Sequence, residues 1–325
     1  MRLTLLSAND LRAALPMPAA IAAMKAAYAE LSTGKAIVPL RIALPVPEQD
    51  GLSLFMPAHL ASGGLGAKIV SVFPHNPDHG KPIIHGLVVV LDSSTGEPIA
   101  LCDGTFLTAW RTGAAAGAAA DILARPDATS AVLIGCGNVG RTALLALDAI
   151  RPLKTIHVYG LEPAALKQFV AEMQSQVTAE LIAASSANEV VPQADIICTA
   201  TTTSSPVFDG TLLKPGVHIS GMGSYTAQMQ EIDAITVSKA SIFVDSRSAA
   251  LAEAGDLIIP LKAGQIRSED WTEIGEVAAT LKPGRRSPDE ITFFKSVGVA
   301  VQDIAAAGQA LATAQSSGLG RIVEF

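Results

Sequence analysis

The feature that most restricts this chain is a glycine-patterned turn joining an apolar run to a helical stretch, Ala131-Val-Leu-Ile-Gly135-Cys-Gly137-Asn-Val-Gly140. Residues 131–134 read as a buried strand and residues 139–150 as a helix, the context that a G-x-G-x-x-G spacing needs before it signifies dinucleotide binding. Gly135 allows the tight turn, Gly137 lets the backbone approach a pyrophosphate, and Gly140 brings helix and strand together. With Asn138 and Val139 they expose the helix amino terminus, whose free N–H groups and partial positive charge favour phosphate. A nicotinamide dinucleotide is the expected cofactor.

The surrounding texture agrees. Apolar runs at 155–159, 196–199, 217–220 and 242–244 alternate with helical stretches such as 163–176, the βαβ pattern of a parallel sheet. Before Ser130 the pattern differs. Met17, Ile21, Met24, Tyr28 and Leu31 share one helical face that stops at Gly34. Alternation at 40–44, 52–56, 65–73 and 83–91 then suggests antiparallel strands, and the turn Asp92-Ser-Ser-Thr-Gly96 folds 87–91 against 98–102. An Ala/Gly-rich helix is expected from Thr108 to Ala124, open to close backbone approach. A strand at 291–295 and a helix at 297–314 close the chain.

Composition limits the partners. A formal charge of -7 over 325 residues argues against nucleic acid and anionic membranes, which require a basic surface; a small molecule is the expected partner. Cys102, Cys136 and Cys198 form no C-x-x-C pair, so they read as reduced, buried thiols of a cytoplasmic protein. His75 and His79 lie four apart on a Pro/Asn/Gly loop, a poor metal framework, and no metal is expected. The strand at 155–159 is followed by Gly160, Leu161 and Glu162. Glu162 is the available acid for a ribose 2′-hydroxyl and no arginine adjoins Gly160, which leaves NAD and NADP both open.

Three cations, Arg41, Lys68 and Arg111, stand in largely apolar contexts. Such groups need partners, and together they suit an anionic substrate.

The stretches Gly66-Ala-Lys-Ile-Val-Ser-Val-Phe-Pro-His-Asn-Pro77, Ile84-His-Gly-Leu87, Leu107-Thr-Ala-Trp-Arg-Thr-Gly-Ala114, the Gly135 loop, Ala254-Gly-Asp-Leu257 and Phe294-Lys-Ser-Val-Gly298 with Asp303 resemble, in order, the family of ornithine cyclodeaminase, μ-crystallin and archaeal-type alanine dehydrogenase. The resemblance implies an α/β fold in which a doubly wound Rossmann sheet, residues 119–299, is inserted in an α+β substrate-binding and dimerisation domain, residues 1–118 and 300–325. It implies a homodimer. It also implies that Arg41, Lys68 and Arg111 are catalytic and hold the substrate carboxylate, with Lys68 near enough for proton transfer. His85 beside Lys68 and Tyr225 complete the expected substrate set. Thr112 and Gly113 are expected at the cofactor phosphates, and Gly160, Glu162, Thr199, Thr201, Met222, Gly223 and Ser296 elsewhere along the dinucleotide.

One departure sets the expected reaction. Where cyclodeaminases and the related alanine dehydrogenase carry an aspartate in the loop after Ser220, this chain has Tyr225, and a phenol cannot pair with an alkylammonium as a carboxylate does. Glu231 and Asp233 read as structural or helix-start carboxylates. The sequence is therefore similar to the ketimine-reductase branch, which implies NAD(P)H-dependent reduction of Δ1-pyrroline-2-carboxylate or Δ1-piperideine-2-carboxylate to L-proline or L-pipecolate. The rivals are ornithine cyclodeaminase, alanine dehydrogenase and a non-catalytic NADP-dependent small-ligand-binding protein.

Overall fold

The computed structural model describes residues 2–324, which divide into two compact units. Unit 1 runs to Arg111 and resumes at Val299; unit 2 is Thr112–Gly298. In chain order unit 1 contains β1 (Arg2–Leu6), α1 (Ala8–Ala14), α2 (Met17–Ser32), β2 (Ala36–Ile37), β3 (Ile42–Val46), β4 (Gly51–Leu60), β5 (Leu65–Val72), β6 (Ile84–Leu91) and β7 (Pro98–Asp103). Helix α3 (Gly104–Leu123) contains the first boundary. Unit 2 then supplies β8 (Ser130–Ile134), α4 (Asn138–Ile150), β9 (Thr155–Tyr159), α5 (Pro163–Met173), β10 (Glu180–Ala183), α6 (Ala187–Val190), β11 (Ile196–Thr199) and β12 (His218–Gly221). It continues through α7 (Ala234–Lys239), β13 (Ser241–Val244), α8 (Arg247–Glu253), α9 (Gly255–Lys262), β14 (Thr272–Glu273), α10 (Ile274–Ala278) and β15 (Thr292–Lys295). Helix α11 (Ala300–Ser317) and β16 (Arg321–Glu324) belong again to unit 1.

Unit 1 is a mixed sheet in the order β16-β1-β7-β6-β5-β4-β2, with β3 also on β4. Its pairs are antiparallel except β1 with β7. Period-two alternation gives it two distinct faces. Leu54, Met56, Val70 and Val88 are buried on one, together with Lys68. Helix α11 packs on this side, close enough that a β-carbon at Gly66 would lie 3.0 Å from the Ile304 side chain. The opposite face carries a row in register across four strands, Ile42, Phe55, Ile69 and Leu87. Three of these are exposed, at 63%, 36% and 40% for Ile42, Ile69 and Leu87.

Unit 2 is an all-parallel sheet in the order β10-β9-β8-β11-β12-β15-β13-β14. Strands buried on both faces explain its continuous apolar runs. The order reverses between β8 and β11, the switch point outside whose carboxyl ends doubly wound sheets take their ligands.

Several elements depart from expectation for local reasons. Helix α3 starts at Gly104 rather than Thr108, because the Asp103 carboxylate accepts from Phe106 N at 3.0 Å, an aspartate cap ahead of the apolar pattern. The last helix starts at Ala300 rather than Val297: Asp245 holds the backbone of Val297 and Gly298, and Gly298 has φ 83. Strands β1, β10, β14 and β16 have two to five residues each, too few to display a period. Cys136 is only half-buried, while Cys102 and Cys198 are buried.

The Ala/Gly texture of α3 has a visible purpose in unit 2. A β-carbon at Gly113 would lie 2.4 Å from the backbone carbon of Thr142 in α4. Gly113→Ala should therefore force backbone apart and lower stability by about 2 kcal/mol, the usual scale of overpacking, read as a lower urea midpoint with unchanged slope.

Candidate functional site

Unit 1 gathers its cations around one carboxylate. Lys68 projects from β5 into the buried face, where its Nζ donates to Asp303 Oδ1 at 3.0 Å and lies 2.9 Å from Oδ2. Arg111 Nε donates to the same Oδ1 at 2.9 Å, and its terminal nitrogen to Gln302 Oε1 at 2.6 Å. Gln302 is itself held: its amide donates to the Tyr28 hydroxyl at 2.5 Å, and its carbonyl accepts from Val299 N at 2.8 Å. Lys68 is 1% exposed, Arg111 5% and Asp303 0%. Burial lowers the Lys68 pKa to about 8; the Asp303 charge opposes the shift, while Arg111 and Arg41 add to it. The structure thus brings Lys68 and Arg111 together, with half-buried Arg41 near enough for its charge to be felt.

His85 stands elsewhere. Lys68 pairs with Val88, and His85 with Ser71, so alternation turns the exposed His85 to the other face of the sheet. His75 is exposed and contacts Asp50 and Asp78. Tyr225, half-buried, and Thr112, buried, belong to unit 2.

In unit 2 the glycine loop has the geometry its spacing requires. Gly135 adopts φ 118, and a side chain there would strike the Ala200 carbonyl at 2.5 Å; at Gly140 it would strike the Gly135 carbonyl at 2.1 Å. Gly137, by contrast, faces open space and caps α4 with no side-chain hydrogen bond. The first turn of α4, Asn138, Val139 and Gly140, is thus a backbone donor cradle with no acidic residue of its own and no side-chain cap among the described residues. These features fit a dinucleotide pyrophosphate. Gly160 leaves room for the Cys136 sulfur, 2.6 Å from where its β-carbon would be, and exposed Glu162 begins α5.

The remaining expected cofactor residues lie at or just beyond the carboxyl ends of β11, β12 and β15. Thr199 is fully buried, with a hydroxyl lacking a hydrogen-bond partner. Thr201 donates from N and Oγ1 to Glu231 at 2.6 and 2.8 Å. Met222 is buried, Gly223 N donates to Glu231 at 2.7 Å, and Ser296 donates its hydroxyl to Asp245 at 2.8 Å. Asp233 caps α7 through Thr236 N, and Glu231 is a buried structural carboxylate, as read from the sequence. Sequence reasoning assigned no role to Asp303, Gln302, Asp256 or Lys295. The available signal was a charge inside an apolar pattern: Gln302 and Asp303 interrupt Val299-Ala-Val301 and Ile304, and Lys295 follows two phenylalanines.

The profile of the ornithine cyclodeaminase/mu-crystallin family matches residues 2–318. A Δ1-pyrroline-2-carboxylate reductase of Bacillus cereus is 38% identical over 324 residues, 98% of this chain and 99% of the relative. The structure of Thermococcus litoralis Δ1-pyrroline-2-carboxylate reductase in complex with NADH and L-proline matches with a TM-score of 0.93 at 39% identity, covering 98% of this chain and 99% of that one. An archaeal alanine dehydrogenase dimer with bound NAD matches with a TM-score of 0.91 at 32% identity, covering 100% of both chains.

The buried carboxylate yields a direct expectation. Asp303→Asn leaves two buried cations without an anion and should destabilise the protein by about 3 kcal/mol, measured by urea unfolding at neutral pH.

Proposed function

Because the chain belongs to the ornithine cyclodeaminase/μ-crystallin family, we propose that it is a nicotinamide-dependent ketimine reductase that converts a cyclic α-imino acid, Δ1-pyrroline-2-carboxylate or Δ1-piperideine-2-carboxylate, to L-proline or L-pipecolate. The observation that carries this reading is the buried Lys68–Asp303–Arg111 cluster, two cations to one carboxylate, with the charge of Arg41 close by. The surplus positive charge suits a substrate carboxylate. A guanidinium offers it a two-pronged donor set, and a lysine whose pKa is lowered to about 8 can release and regain a proton near neutral pH. In the Bacillus cereus and Thermococcus litoralis relatives the named substrate is the five-membered ketimine.

Residues Gly135, Gly137, Asn138, Val139 and Gly140 would hold the pyrophosphate, with Thr112, Gly160, Glu162, Thr199, Thr201, Met222, Gly223 and Ser296 along the rest of the dinucleotide. When bound and reduced, that group supplies a hydride for the imine carbon. Arg41 and Arg111 hold the substrate carboxylate. Lys68 shares that task and manages the proton that the imine nitrogen gains as C=N becomes CH–NH. The phenol of Tyr225 offers an O–H in place of a carboxylate, which suits an imine that needs no anionic partner for a free ammonium group. NADH is the favoured donor: Glu162 is the acid that follows β9, and NADH is the form in the Thermococcus litoralis complex. The exposed row Ile42, Ile69 and Leu87 supports a homodimer, since contiguous apolar surface marks an interaction face, and the alanine dehydrogenase relative is a dimer.

Purified protein should oxidise NADH, or NADPH more slowly, when given either cyclic ketimine; no turnover of both ketimines with either cofactor overturns the reading. Ornithine should release no ammonia, and pyruvate with ammonium should be a poor substrate. Lys68→Met should lower kcat/KM by at least about 10²-fold, the scale of a lost acid–base group. In the wild type, kcat/KM should fall as pH rises through about 8, because deprotonation of Lys68 removes both a clamp charge and the proton. Light scattering should return twice the chain mass.

A further inference from the structure

We propose that Glu231, Asp256 and Lys295 form a buried positioning core that sets the two loops following β11 and β12, and through them the affinity for the dinucleotide; the proposal rests on the ketimine-reductase reading. These residues explain the stretch Ala254-Gly-Asp-Leu257, to which the reaction assigns no task, and the lysine of Phe294-Lys-Ser-Val-Gly298. All three side chains are 0% exposed.

The connections run as one network. Glu231 Oε1 accepts from Thr201 N and Oγ1, at 2.6 and 2.8 Å, while Oε2 accepts from Gly223 N and Ser224 N at 2.7 and 3.1 Å. Asp256 Oδ1 accepts from the backbone N of Glu231 and Ile232, at 2.6 and 2.9 Å. Its Oδ2 accepts from the Ser224 hydroxyl and lies 2.8 Å from Lys295 Nζ. Lys295 Nζ also donates to Ser224 O and reaches Ser224 Oγ, both at 2.7 Å. Five segments of unit 2 meet here.

Their location is what gives the network a function. Thr201 follows Ala200, whose carbonyl abuts Gly135, and Gly223 approaches Thr201 so closely that a β-carbon would lie 2.0 Å from the Thr201 carbonyl. The carboxylate of Glu231 therefore fixes the backbone bordering the glycine loop at the switch point between β8 and β11. Neither segment has ladder partners for these N–H groups, and only a carboxylate offers enough lone pairs for four donors. Buried charges seldom stabilise a fold relative to apolar replacements, so their value here lies in specifying one loop geometry.

The variant to test is Glu231→Gln. Its amide nitrogen must face N–H groups on one side, which turns an acceptor into a donor and parts the loops. NADH affinity is measured by fluorescence titration without imino acid, alongside urea unfolding and both KM values. The expected result is a dinucleotide Kd and KM raised at least tenfold in a folded protein, with the imino-acid KM within twofold of wild type. A folded Glu231→Gln protein that binds NADH as the wild type does overturns the proposal, as does a fall in kcat alone that matches a smaller active fraction. If Glu231→Gln does not fold, Ser224→Ala, which deletes only the hydroxyl between Asp256 and Lys295, must raise the NADH Kd at least threefold; an unchanged Kd overturns the proposal. Wild-type protein that binds NADH but reduces no ketimine would sink the functional reading alone and leave this test standing.

Discussion

A carboxylate with no exposed surface, Asp303, is the constraint on which unit 1 depends. Burying Lys68 and Arg111 against α11 is unfavourable unless an anion accompanies them, and a single oxygen of Asp303 receives both. Burial lowers the Lys68 pKa toward neutrality, Asp303 opposes that shift, and the charges of Arg111 and Arg41 add to it; two cations on one carboxylate leave positive charge in excess. Gln302 adds direction rather than charge: anchored to Tyr28, it fixes the far end of the Arg111 guanidinium. If the cluster is the proposed substrate clamp, that prior orientation lessens the entropy lost on meeting its ligand.

Unit 2 solves the inverse problem. There the buried carboxylates of Glu231, Asp245 and Asp256 gather backbone N–H groups from loops that no strand or helix satisfies. Burial pushes the Glu231 and Asp245 pKa values up, while the hydrogen bonds to them pull the other way. In the proposed reading the positive groups of one unit receive a substrate, whereas the negative groups of the other hold the chain itself. Cys198, whose thiol burial and the Glu231 charge push upward, is inert filling in this setting, and Cys136 beside Gly160 is shaped by the space that glycine leaves.

Much of this was legible in the residues. The glycine loop reported its strand, its turn and its helix, because each glycine answers a local steric demand. The isolated cations were visible because Lys68 and Arg111 sit amid apolar neighbours. Their counter-ion received no role, since a pairing between residues 235 apart leaves no periodic trace. Glu231 could be read as structural, but its four donors come from segments that only the parallel sheet assembles. His85 was drawn toward Lys68 by proximity in sequence, whereas strand register sends it to the opposite face. The short strand β1 and the edge strand β16 find each other across nearly the whole chain, and short apolar runs cannot announce such a partner.

The discontinuity of unit 1 has a consequence for how the protein is made. Lys68 and Arg111 leave the ribosome 235 and 192 residues before Asp303 does. The whole of unit 2 is synthesised in the interval. Its sheet closes through contacts within one continuous segment and can mature during synthesis, while the amino-terminal sheet must wait with two cations and an apolar face uncovered. Completion of unit 1 is therefore a late, long-range event of high contact order. The step that quenches those charges is also the one that assembles the proposed substrate clamp, so a chain halted before α11 would lack the clamp and leave the apolar face of Leu54, Met56, Val70 and Val88 uncovered.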